Sequence, residues 1–225
     1  MKRLFCCALC LAFGLVTLRA AAQSDEGATA ARGGTLKETA STKKDEQRWD
    51  FFYLEAESGF QYTSLESLSV KRNVIPTTVR RDDVGGLFGA AAGFKLLFLT
   101  LGPRLRLGHF QDWDLWTAAL ELGWRTPLGA LEPYMRIGGG YARLGRAFDA
   151  VQGKRGSVTI QGYTARLTVG ADYFITPAFT FGACVAGEII GMYRPGLDWG
   201  DEVYKLDGTS AGMALTGTLG LGLHL

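Results

Sequence analysis

His109 and His224 are the two histidines of this 225-residue chain. Acid–base or nucleophilic chemistry would therefore run through one of them or through a cysteine. A site that cleaves or transfers acyl groups needs a serine or similar nucleophile beside a histidine base. His109 is followed by Gln111, Asp112 and Asp114, with no serine close in sequence. A histidine with two acids can hold a metal or act as a base, but a solvated loop is the commoner origin of such a cluster. His224 stands next to the C-terminal Leu225. Of the cysteines, Cys6, Cys7 and Cys10 lie in an apolar leader, which leaves Cys184 alone and no intrachain disulfide to form. A lone cysteine on a strand is most often a small core residue. The expectation is a protein without catalytic residues, cofactor or metal.

The more telling chemistry is electrostatic. Between Leu54 and Tyr62, the residues Leu54, Ala56, Ser58, Phe60 and Tyr62 alternate with Glu55, Glu57 and Gln61. A β-strand points successive side chains to opposite faces, so one face is apolar and the other charged. The same split recurs in seven further segments. On the polar register stand six acids: Glu55, Glu57, Glu121, Glu132, Asp172 and Glu188. Six bases share it: Lys95, Arg104, Arg106, Arg125, Arg136 and Arg166. Balanced charges of this kind predict an ion-pair network that fills a narrow interior, since unpaired charges there would be costly. A narrow polar path or ligand pocket is the functional alternative.

The positioning elements are strands over about 49–64, 85–96, 99–109, 115–126, 131–143, 158–174, 178–191 and 211–225. Each is roughly as long as a tilted strand needs to be to cross a bilayer. The connections alternate. After the first, third, fifth and seventh strands they are polar and mostly long (65–83, 109–114, 145–157, 192–209); the others are tight, as at Thr126-Pro127-Leu128-Gly129. This predicts an all-β fold: an eight-stranded antiparallel up-and-down transmembrane β-barrel with long loops outside and short turns in the periplasm. Trp124, Tyr134, Tyr173 and Phe179 cluster at the turn ends, and Tyr62, Trp116, Tyr141 and Tyr163 at the loop ends, as two aromatic girdles would. Pro103 falls inside the third strand, where a closed barrel offers no free edge, so a bulge or slipped register is expected there. The join at 95–98 lacks Gly and Pro.

Residues 1–22 read as a signal peptide: Lys2 and Arg3, an apolar run from Leu4 to Leu18, then Ala20-Ala21-Ala22. Residues 23–47 are polar and lack large apolar groups, the composition of a flexible periplasmic tether; 48–225 form the barrel domain. Beyond the leader no run of 18 apolar residues exists, which excludes a helical span. Three of the 24 basic residues (Lys2, Arg3, Arg19) lie in the leader, leaving 21 against 22 acids. Nothing in that balance points to nucleic acid. The first long loop carries Lys71, Arg72, Arg80 and Arg81, a candidate group for binding lipid phosphates. Loops two and four are acidic, and pairing between loops or simple solvation reads the same residues equally well.

The run from "FFYLEAESGFQY" to "LTGTLGLGLHL", residues 49–225, resembles the small eight-stranded outer-membrane barrels typified by the OmpA transmembrane domain, OmpX and OmpW. The resemblance implies a Gram-negative type outer membrane, contact with outer-membrane lipid and insertion by the assembly machinery; the even strand count puts both termini in the periplasm, and a monomer is expected. It carries over no catalytic residues. Here the chain ends in Leu225 where that family usually ends in Phe. The first expectation is a non-enzymatic barrel with a structural or surface-interaction role. The second is a narrow conduit or binding protein for small molecules, apolar ones included. The third is a soluble lipocalin-like carrier, which would place its apolar groups inside.

Overall fold

The computed structural model describes residues 51–72, 74–75, 79–145, 160–196 and 202–225. The leader and tether expected over 1–47 lie outside the described residues. Eight strands form, each where apolar and polar residues alternate: β1 (Phe52–Val70), β2 (Asp82–Leu96), β3 (Leu99–His109), β4 (Asp114–Arg125), β5 (Leu131–Gly145), β6 (Ile160–Phe174), β7 (Phe179–Arg194) and β8 (Gly208–His224). A single helical turn, α1 (Glu202–Lys205), precedes β8. Every strand pairs antiparallel with its chain neighbours, and β1 pairs with β8 to close the cylinder. Closure leaves no unpaired edge.

The polarity of the cylinder is inside out. Phe60, Leu120, Tyr163 and Val185 lie on the exterior and are more than half exposed, while Arg104, Arg136 and Arg166 are at most 5% exposed. That orientation is opposite to a soluble carrier's, and a water-soluble monomer rarely shows so continuous an apolar surface.

The strands run further toward the long loops than the sequence pattern indicates: β1 continues to Val70. Its pairing with β8 shifts register between Ser64 and Ser69, and Leu65 within the irregular stretch is fully buried. Extra residues on one strand of a pair bend and twist it locally. The bulge expected at Pro103 is absent. Ala91↔Arg104 and Phe94↔Leu101 share one register across it, and Pro103 pairs with Leu120 on β4. Pro103 turns its ring to the exterior, so only one ladder hydrogen bond is forfeited. Gly102 beside it is required by close approach, since a Cβ there would lie 2.6 Å from Gly93 Cα. The join between β2 and β3 is a two-residue turn with Leu97 at φ 57°, a conformation glycine would adopt more readily.

One girdle residue is misplaced by the sequence reading. Tyr134 is buried in the lumen, not on the exterior, because it shares the parity of Arg136. Its ring lies between two guanidinium groups, 4.0 Å from that of Arg136 and 5.1 Å from that of Arg125.

Candidate functional site

The lumen has two storeys. Toward the turn end, Glu55 on β1 is the common acceptor of three arginines from three strands. Arg104 Nη2 and Arg125 Nη2 each donate to its carboxylate at 2.6 Å. Arg136 donates to it through Nη1 at 2.7 Å and Nη2 at 2.6 Å. Arg104 also reaches Glu57 at 2.9 Å and Glu121 at 2.7 Å. Arg106 pairs with Glu57, Arg125 with Asp172 at 2.7 Å, Arg166 with Glu188 at 2.7 Å, and Lys95 with Glu132 at 2.9 Å. All twelve charges singled out by parity thus meet inside one cylinder. Charge-assisted pairs of this kind are geometrically demanding, so they fix which strand faces which.

Glycines make room for these stems. A Cβ on Gly89 would lie 2.9 Å from Glu57 Cγ and 3.0 Å from Arg106 Cγ. One cavity of about 20 Å³, room for about one water, lies beside Glu55, Tyr134, Asp172, Cys184 and Thr218. Cys184 Sγ lies 2.9 Å from Thr218 Oγ1 there. His224 Nε2 is 3.4 Å from the Thr180 hydroxyl, with the Phe174 ring 5.1 Å from its own.

Toward the loop end the lumen changes character. Leu115, Leu144, Ile160, Ile190 and Met192 point inward and are buried, and Val74, Ile75 and Val79 of the first loop pack onto them. Phe110 and Trp113 from the β3–β4 connection join them, their rings stacked at 3.8 Å. Trp113 Nε1 donates to the Arg80 carbonyl at 3.0 Å, so one loop holds the other. The polar character expected of these two connections is therefore incomplete: each inserts large apolar residues into the barrel mouth.

Glu66 anchors the cap. Its Oε1 accepts from Val74 N at 3.1 Å and from Ile75 N at 3.3 Å, and its Oε2 forms an ion pair with Arg81 Nη1 at 2.8 Å. The Glu66→Ala variant is expected to lose about 1–3 kcal/mol locally, since two backbone donors lose their acceptor and Arg81 its counter-ion. Limited proteolysis of the folded barrel reads this directly: the first loop should be cut several-fold faster, with the strands intact.

The four basic residues of the first loop have different surroundings. Arg81 is engaged by Glu66, and the Arg80 backbone is bonded on both sides, its N–H donating to Asp112 at 3.2 Å. Lys71 and Arg72 are exposed. His109 Nδ1 lies 2.8 Å from Asp114 Oδ1, whereas Asp112 turns to Arg80 and the Gln111 N–H to Asp83. The residues near His109 in sequence thus disperse onto separate partners. Among the described residues no three His, Cys, Asp or Glu side chains are grouped to hold a metal. Sequence reasoning missed Glu66, Phe110, Trp113 and the apolar half of the first loop. The signal available was the run Val74-Ile75 and the aromatic pair within segments otherwise polar.

A meander of eight strands, apolar outside and ion-paired inside, is the architecture of the small transmembrane β-barrels. No protein-family model matches the chain, and no curated protein matches it in sequence. Among solved structures it is similar in fold to Neisserial surface protein A, at 14% identity and a TM-score of 0.57, over 77% of this chain and 97% of that one. The likeness to eight-stranded outer-membrane barrels expected from the sequence thus holds at the level of the fold.

Proposed function

We propose that this chain is a non-enzymatic outer-membrane barrel with a structural or surface-directed role, working as a monomer with both termini in the periplasm. The observation that carries this is a lumen occupied twice over, by ion pairs around Glu55 and by the apolar cap around Trp113. An eight-stranded barrel has space for side chains and little else. Among the described residues, the inward charged side chains and the apolar residues of the first loop are buried in that space, which supports a closed lumen. The partners in this reading are outer-membrane lipid and, during insertion, the assembly machinery. Lys71 and Arg72 would meet lipid phosphates at the outer rim.

Two measurements test it. The purified protein should fractionate with the outer membrane and run faster on an unheated gel than after boiling; a soluble periplasmic pool would refute the location. In planar bilayers it should give no steady conductance steps. Reproducible unitary currents would instead favour a conduit for small molecules.

A further inference from the structure

We propose that the outward face of β5–β7, near its loop end, holds one anionic phospholipid, with the phosphate against Arg143 and an acyl chain in a notch above Gly191. The proposal rests on the membrane reading given above. Arg143 lies on the exterior two residues beyond Tyr141, exposed, and makes no ion pair with another described residue. Its neighbours across the ladder are Trp116 on β4 and Gln161 on β6. A guanidinium set at the end of the apolar belt favours an anionic oxygen cluster, to which it can donate two parallel hydrogen bonds. Gln161 supplies further donors: its Oε1 accepts from the Tyr141 hydroxyl at 2.8 Å, which leaves its amide N–H groups outward.

Beside this polar pair the wall is indented. Tyr163 stands opposite Gly191, and Tyr193 opposite Gln161. With no side chain on Gly191, the two rings flank a notch of about 380 Å³. That volume is within the range of ordinary small-molecule sites, roughly 300–1,000 Å³. On the turn side of the notch the outward residues are Ile189 and Val185, so it opens onto the hydrocarbon face. Arg143 and Tyr193 are two strand spacings apart, roughly 10 Å, a separation that a headgroup and the start of its chain can bridge. Charge above, aromatic walls and an apolar exit below together define a phospholipid rather than a free phosphate.

The test uses the full chain folded in nanodiscs of equal phosphatidylglycerol and phosphatidylcholine, followed by detergent release and native mass spectrometry of retained lipid. Wild-type barrel should keep one phosphatidylglycerol in preference to phosphatidylcholine. The Arg143→Gln variant should retain roughly tenfold less, the scale of losing one charge-assisted contact. Gly191→Leu should also lose it by filling the notch. A Cβ there meets nothing nearer than the Tyr163 carbonyl oxygen at 3.9 Å, so the backbone has room for a side chain, and heat-modified mobility checks that the variant is folded. Equal retention by all three folded proteins, no preference between the lipids, or loss only in a Lys71→Gln/Arg72→Gln variant would overturn the lipid site. Absence of heat-modified mobility in the wild type would instead sink the membrane reading itself.

Discussion

The Glu55→Ala variant is expected to lose about 3–5 kcal/mol of stability, a large part of what holds a barrel of this size together. The reason lies in the sharing. Arg104 keeps Glu57 and Glu121, and Arg125 keeps Asp172. Arg136 has no other carboxylate partner among the described residues, and would be left as a buried charge against the Tyr134 ring. A urea titration followed by the folded band on unheated gels measures the cost. The double variant with Arg136→Met should recover part of it, because the stranded cation is the expensive element rather than the lost attraction. A single variant with wild-type stability would show that the network around Glu55 does not bear on folding.

The second large effect concerns the opposite face. Leu120→Arg places a cation halfway along β4, on the exterior, where its cross-strand neighbours are Gly139 and Pro103 and neither offers a polar group. At the bilayer midplane such a substitution costs about 2–4 kcal/mol, falling to about 0–1 near the interfaces. Leu128→Arg, in the turn after β4, is the matched control, exposed to a similar degree. Refolding into vesicles at increasing urea should separate the two variants by several-fold in folded fraction. Equal behaviour would mean that Leu120 does not face hydrocarbon.

The strands and the charge network were legible because they obey a rule of period two. Once Glu55 and Glu57 were placed inward, parity alone oriented Arg104, Arg136 and Arg166, and all three lie in the lumen. Tyr134 obeys the same rule: it stands near a strand end, as a girdle residue would, but its parity is that of Arg136 and it lies inside. The mouth of the barrel was not legible. Val74, Ile75 and Val79 sit in a loop without periodicity, and what makes them core residues is their place in one buried cluster with Leu115, Leu144, Ile160 and Ile190. Those partners lie on strands far away in sequence, so no local pattern announces the contact. Pro103 teaches the converse. A local rule forecast disruption, and the ladder absorbed it because both flanking pairs hold the register.

Seven of the eight strand pairings join segments that follow one another along the chain, and the eighth does not. Tyr53 pairs with His224, and Phe51 N donates to the Leu225 carbonyl at 3.1 Å. Hairpins can zip within microseconds, but this last seam must bring together segments separated by nearly the entire domain. Its loop-closure entropy makes it the late step of assembly. Until it zips, the first and last strands present raw ribbon edges, so the open sheet is the species that a second copy could capture by strand exchange.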